Sequence, residues 1–262
     1  MKSVGFVIPV YQEKFILKLV KNLKRTANRS DTVFCIVNDG KQELEELIES
    51  VVDGELFISL HLTETKNFSG ANNAGWKYLI QNYPEIDYLG SLNDDTVPYK
   101  NWLNPLVTKI KSDPTIGVVS PQLIEKSSYW PFLKEYKAIW TLRNPSGMDI
   151  LQKRIEKDTF VSALTGFCFL SKKMPLQEVG FLDEAYRNGC EDIDLGIKLL
   201  ESGYRILVVR GAKVFHLGSQ SRYLPGTNTD LNFNHSLFQK NHGVQIERYN
   251  NLRHGFYENE SK

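Results

Sequence analysis

Four polar clusters in the chain have the residue types to do chemistry. Asn93-Asp94-Asp95-Thr96 sets two carboxylates side by side directly after an apolar run. Hard cations such as Mg2+ or Mn2+ take oxygen ligands and bridge a carboxylate to substrate phosphates, so acids there suit a metal. A polar turn closing a strand would use the same residues. Glu191-Asp192-Ile193-Asp194 opens a run of helical period. The helix dipole alone favours acids in that position, and at the rim of a cleft one of them would serve as a general base. From Asn67 to Gly75 the chain reads Asn-Phe-Ser-Gly-Ala-Asn-Asn-Ala-Gly. Small residues at a helix start let backbone approach a phosphate or sugar, though an ordinary capped helix looks the same. His216 ends a short apolar run, where a lone His is structural more often than it is a ligand.

These clusters need elements to hold them. Val4 to Val10 reads as a buried strand, and Lys14 to Leu23 repeats Phe15, Ile16, Leu19, Val20 and Leu23 at helical period. Val33 to Val37 predicts a second strand, Leu44, Leu47, Ile48 and Val51 a second helix, and Leu56 to Leu62 a third strand. A helix over Ser69 to Ile80, a strand over Tyr88 to Leu92, a helix over Trp102 to Ile110 and a strand over Ile116 to Ser120 follow. Strands alternating with helices imply a mostly parallel sheet covered on both faces. In such sheets ligands bind beyond the carboxyl ends of the strands. Asn38-Asp39-Gly40 and Asn93-Asp94-Asp95 fall there.

The pattern weakens from Gln122 to Asp158, a stretch with Trp130, Pro131, Trp140, Arg143 and Pro145 that reads as a long loop or subdomain over the site. Order returns with one strand over Thr159 to Ser171 that contains Gly166, then a helix over Glu191 to Ser202 stopped by Gly203. Two short strands, Tyr204 to Val209 and Lys213 to His216, and a last helix over Leu231 to His242 complete the prediction. The expected division falls where the pattern weakens, into a half over 1–121 and a half over 122–262.

The bulk numbers exclude several classes. At 262 residues, 41% hydrophobic and 24% charged, the chain suits one α/β domain and neither disorder nor a fibre. A net charge of +1 argues against nucleic acid as the main partner. Cys35, Cys168 and Cys190 fit no zinc spacing and read as reduced core thiols of a cytoplasmic protein. The N-terminus has no signal-peptide pattern, and no run of about 20 apolar residues predicts a membrane span; contact with the inner face of a membrane stays open.

The order and spacing of the clusters say more than each does alone. The chain resembles glycosyltransferase family 2, the inverting group with the GT-A fold, and in particular its rhamnosyltransferase-like branch. Val7-Ile8-Pro9-Val10-Tyr11-Gln12 is similar to that family's first strand and nucleotide loop, and Asn38-Asp39-Gly40 to its base-recognising turn. Asn67 to Gly75 is similar to its Asn-x-x-Gly-x-x-Asn-x-Gly segment, and Leu92 to Thr96 to its Asp-x-Asp metal motif. Thr165-Gly166-Phe167 resembles the acceptor-side strand. Gly180 to Glu184, Glu191 to Leu195 and Gly203-Tyr204 match its base-bearing segment, and Val214-Phe215-His216 its closing His. The likeness runs from about residue 3 to 242.

The resemblance implies an α/β GT-A fold, Rossmann-like, with a mixed, mostly parallel sheet flanked by helices, in which 1–121 is the nucleotide-sugar-binding half and 122–262 the acceptor-binding and catalytic-base half of the same domain. It implies single displacement from a UDP- or dTDP-sugar onto a glycan or polyprenyl-linked glycan, with Mn2+ or Mg2+ as cofactor. Asp192 is then the expected base, with Glu191 its competitor. Pro9, Tyr11, Asp39, Asn67, Gly70, Asn73 and Asp94 are expected at the donor, and Gly166 and Trp130 at the acceptor. The expected metal residues are Asp95, His216 and Asn93. One departure stands out. The metal motif opens on Asn93 rather than Asp, which shifts direct ligation toward Asp95 and leaves Asp94 for ribose or an indirect contact.

A nucleotidyltransferase would carry Gly-x-Gly-Thr-Arg after the first strand, and a dehydrogenase Gly-x-Gly-x-x-Gly. Pro9-Val10-Tyr11-Gln12 stands there instead. A fold-sharing binding protein without activity would tend to lose the acids, yet Asp95, Asp192 and His216 are all present.

Overall fold

The computed structural model describes residues 1–125, 137–138, 157–218 and 229–243. Its first half alternates β1 (Val4–Val10), α1 (Glu13–Thr26), β2 (Thr32–Asn38), α2 (Glu45–Glu49), β3 (Phe57–His61), α3 (Asn67–Asn82) and β4 (Tyr88–Leu92). Then come β5 (Thr96–Pro98), α4 (Leu103–Ser112), β6 (Ile116–Glu125), β7 (Lys137–Ala138), β8 (Thr159–Val161) and β9 (Cys168–Lys172). The chain closes with α5 (Lys173–Glu178), α6 (Glu191–Glu201), β10 (Arg205–His216) and α7 (Leu231–His242).

The strands form one sheet in the order β3-β2-β1-β4-β9-β6-β10-β5. β1, β2, β3 and β4 run parallel, as do β6 and β10, while β9 runs antiparallel between β4 and β6. This mixed, mostly parallel α/β sheet is the expected GT-A architecture. Alternation along β1 explains why both faces are covered. Val4, Phe6, Ile8 and Val10 point into a core with Ile16, Leu19 and Leu23 of α1 and Leu106 and Ile110 of α4. Val7 points the other way, into a core with Trp76 and Leu79 of α3 and Leu195 and Leu199 of α6. α3 lies close to β1 because Gly75 has no Cβ; one there would stand 2.6 Å from Val7 Cγ2.

Three features differ from the sequence reading. The single strand expected over Thr159 to Ser171 is two. β8 pairs with β10 and β9 with β4 and β6, so the chain crosses between sheet positions at 162–167, and Gly166 lies in that turn. The two strands expected over 204–216 are one. Their register against β6 shifts between Val209 and Lys213, a bulge that absorbs Arg210-Gly211-Ala212 where the apolar pattern breaks. β5 and α5 are too short, at 3 and 6 residues, to carry a periodic signal. All three cysteines are buried and free.

Candidate active site

β1, β2 and β4 end side by side, and a cleft opens beyond them between Pro9, Tyr11, Asp39, Phe68, Asp94 and Asn188. Asn67, Asn93 and Asp95 also face it. The backbone at the end of β2 is set by Asn38. Its side-chain amide donates to the Lys41 carbonyl at 2.8 Å and accepts the Lys41 amide at 3.0 Å. Asp39 follows, buried, with its backbone amide on the Val10 carbonyl at 3.1 Å. Its Oδ1 accepts the Lys66 amide at 2.6 Å. Burial pushes the Asp39 carboxyl up to about 6, against the pull of the Lys66 and Asn67 amides and the charges of Lys41 and Lys66. Tyr11 walls the cleft beside it, with Lys41 Nζ 4.1 Å from its ring centroid.

Gly40 makes this turn possible. Its φ is +72°, and a Cβ would lie 2.4 Å from the backbone of Glu64 and Thr65. Gly40→Ala is expected to cost about 2 kcal/mol or more, from left-handed strain and the clash together. A differential scanning calorimetry trace that matches the wild type would refute this.

Beyond β4, Asn93, Asp94 and Asp95 meet the end of β10. His216 Nε2 lies 3.1 Å from Asp95 Oδ1, and its ring stacks on Phe167 at 5.2 Å. Asn93 Nδ2 is 3.4 Å from the same His216 nitrogen, while Asn93 Oδ1 is buried without a hydrogen-bond partner. Two cis ligands about 2.1 Å from one octahedral ion sit about 3 Å apart. The Asp95–His216 spacing therefore fits a shared Mn2+ or Mg2+, and Asn93, whose Oδ1 has no partner, adjoins the same His216 nitrogen through its Nδ2. No group of three His, Cys, Asp or Glu side chains gathers among the described residues, so an ion held here would take its remaining ligands from water or a diphosphate. Asp94 is part-open to the cleft, yet burial by surrounding protein and then the charge of Asp95 push its carboxyl up to about 8. A cation beside it would reverse that shift.

The acids at the start of α6 have different tasks. Asp192 Oδ2 accepts the Gly166 amide at 2.7 Å, and Oδ1 accepts the Ile193 amide at 2.9 Å. A Cβ on Gly166 would be 3.3 Å from both Asp192 Oδ2 and Phe68 Cζ, so the base candidate, the acceptor-side turn and the cleft wall adjoin. Glu191 is buried, with Oε2 on the Gly189 amide of its own turn. Asp194 is fully buried and faces away, paired with Lys198 at 2.7 Å and His242 at 2.8 Å and accepting from Tyr186 OH at 3.2 Å.

Two expected donor residues stand apart from the cleft wall. Asn73 is buried, and its amide spans the backbone of Leu182, donating to the carbonyl at 2.8 Å and accepting from the amide at 3.2 Å. Gly70 gives α3 room beside Lys66, whose Cβ would be 2.5 Å from an added Cβ. Trp130 lies outside the described residues. Asn188 is the cleft residue that sequence reasoning missed. It is held at φ 50°, its Oδ1 accepts the Phe68 amide and its Nδ2 donates to Asn67 Oδ1, each at 3.3 Å. A lone Asn after Tyr-Arg carries no sequence signal beyond a turn.

Comparison with known proteins narrows the chemistry. Residues 6–180 match the profile of the family described as Glycosyl transferase family 2. Over 75 residues the chain is 36% identical to N-acetylglucosaminyl-diphospho-decaprenol L-rhamnosyltransferase of Mycobacterium tuberculosis. That stretch is 28% of this chain and 24% of the relative. Among solved structures, GalNAc-T7 with UDP, GalNAc and Mn2+ superposes with a TM-score of 0.67 at 16% identity, over 87% of this chain and 46% of that one. Mannosyltransferase PcManGT from Pyrobaculum calidifontis, with GDP-Man and Mn2+, gives 0.60 at 16%, over 84% and 58%. S. aureus TarS gives 0.60 at 17%, over 84% and 37%. At these identities the superpositions establish the fold.

Proposed function

The chain belongs to glycosyl transferase family 2, and from that premise we propose that it moves a sugar from a UDP- or dTDP-sugar to a hydroxyl of a glycan or polyprenyl-linked glycan, with inversion. The carrying observation is one cleft that joins a buried acid at the end of β2, the Asp95–His216 pair beyond β4, and a wall, Phe68, that abuts Gly166 and Asp192. Asp39 accepts the pyrimidine N3–H, and Tyr11 lines the base site. Pro9 and Asn67 border the donor. Asp95 and His216, with Asn93 beside them, would hold a Mn2+ or Mg2+, which when bound would supply positive charge against the diphosphate. Asp192 takes the proton from the acceptor hydroxyl as that oxygen attacks the anomeric carbon. Its two backbone hydrogen bonds fix its direction, and a carboxylate keeps further lone pairs for the hydroxyl. Gly166 adjoins the acceptor because its missing side chain leaves space over Asp192.

The polyprenyl acceptor draws on the decaprenol in the mycobacterial relative's name, and the place at the cytoplasmic face of a membrane on the family resemblance alone. No described helix is long and apolar enough to cross a membrane.

Titration with UDP, dTDP and GDP in the presence of Mn2+ tests the donor class. UDP or dTDP should bind more tightly than GDP, and the reverse order against both would exclude a pyrimidine donor. The pH dependence tests Asp39. Its ionised form is the stronger acceptor for N3–H, so with the group at about 6 affinity should hold above pH 7 and fall by up to about tenfold at pH 5 as the proton is taken up. Asp39→Asn should remove that pH dependence. An affinity flat from pH 5 to 7.5 in the wild type would disprove the contact.

A further inference from the structure

Asp192 and Asn188 belong to one short turn, 187–192, whose shape is unusual. Asn188 and Cys190 both have positive φ, 50° and 74°, a conformation that costs non-glycine residues free energy unless their surroundings hold it. Two of its ties come from within or from the cleft: the Glu191 carboxylate on the Gly189 amide, and Asn188 on Phe68 and Asn67. A further tie comes from α7. Asn234 is fully buried in the first turn of that helix. Its Oδ1 accepts the Arg187 amide at 2.8 Å and its Nδ2 donates to the Arg187 carbonyl at 2.9 Å. One side chain thus fixes both polar groups of the peptide segment that leads into Asn188.

α7 is itself anchored independently of Asn234. Phe238 is fully buried with Tyr186, Cys190 and Ile197. His242 reaches the buried Asp194 of α6 at 2.8 Å, and Lys198 and Tyr186 complete that site. At the other end, Arg187 pairs with Asp230 at 3.3 Å and lies 3.9 Å from the Phe233 ring centroid. A helix docked at both ends holds Asn234 rigidly against the turn.

We infer that α7 is a clamp on the catalytic turn and that Asn234 is a positioning residue for Asp192, acting through the Arg187–Cys190 backbone. The inference rests on the reading of Asp192 as the base. It assigns a reaction-specific task to residues 231–242, which lie beyond the stretch matched by the family profile. Misplacement of a reacting group by about 1 Å can cost about 100-fold in rate.

The experiment is a double-mutant cycle read with nucleoside diphosphate release from dTDP-L-rhamnose and UDP-N-acetylglucosamine, each with Mn2+, and with hydrogen–deuterium exchange. Asn234→Ala should lower kcat at saturating donor 10- to 100-fold when Asp192 is present, and less than about twofold in the Asp192→Asn background. Its exchange should be faster at the Phe68 and Gly189 amides and unchanged in β1 and β2. Asn234→Asp sets a carboxylate oxygen against the Arg187 carbonyl in place of the donor, and should show an effect in the same direction and at least as large. Equal fold losses in both backgrounds, or wild-type exchange at Phe68 and Gly189, overturn the clamp. An Asp192→Asn protein with undiminished kcat overturns the base assignment instead, and the exchange data then decide the clamp alone, including where neither donor is turned over.

Discussion

Asp192→Asn is expected to reduce sugar transfer by about 10²- to 10⁴-fold, the range typical of a lost general base, with nucleotide affinity close to wild type. The substitution keeps the side chain's size and one acceptor oxygen, so the bond from the Gly166 or Ile193 amide can survive. What it removes is the ability to take a proton. Asp192 is not among the residues that line the cleft beside Tyr11 and Asp39, which is why binding of UDP or dTDP should be spared. Glu191→Gln is the informative companion. Glu191 is buried and committed to the Gly189 amide, so its loss should lower the thermal midpoint more than the rate. The assignment moves to Glu191 if calorimetry and transfer assays give the opposite division, with Asp192→Asn near wild-type rate and Glu191→Gln inactive.

Removal of divalent metal is expected to have an effect of similar size. Lewis-acid stabilisation of a departing diphosphate contributes several kcal/mol, and about 4 kcal/mol corresponds to roughly 10³-fold in rate. Exhaustive chelation should abolish transfer, and Mn2+ or Mg2+ should restore it. Asp95→Ala and His216→Ala should each weaken Mn2+ binding, measured by electron paramagnetic resonance of the free ion. Asp95 should matter more, because it brings the charge and lies buried beside His216 at 3.1 Å. Asn93→Asp should tighten the metal, since a second carboxylate would replace the neutral oxygen that now has no partner. Undiminished transfer in the presence of excess chelator would remove the metal from the mechanism.

These expectations draw on the sequence and the fold in unequal shares. Apart from β5, the order of strands and helices through Ser120 was legible because each of those elements is long enough to complete a period. β1 alternates its apolar residues between two cores, and α1 repeats its apolar residues every three to four positions. The positions of Asp39 and Asp95 were legible for the same reason. Once β2 and β4 are recognised as parallel strands, the residues after them must face the cleft. Short or interrupted elements escaped. β5 has no room for a pattern, β10 hides behind the break at Arg210-Gly211, and Thr159 to Ser171 looks like one apolar strand although its halves pair with different partners.

The sequence by itself determined the fold class, the family and the list of acids from which a site could be drawn, because periodicity and motif order are local and serial. Only the tertiary structure decided what each acid contacts. Glu191, Asp192 and Asp194 are nearly interchangeable as letters. In the fold Glu191 closes its own turn, Asp192 faces Gly166 beside the cleft, and Asp194 is buried under α7. Asn73, expected at the donor, instead ties α3 to Leu182, whereas Asn188, which carried no signal, borders the cleft. The reason is physical. A side chain's role depends on which partners satisfy its polar atoms, and those partners arrive from residues distant in sequence: His216 to Asp95, Gly166 to Asp192, Asn234 to Arg187.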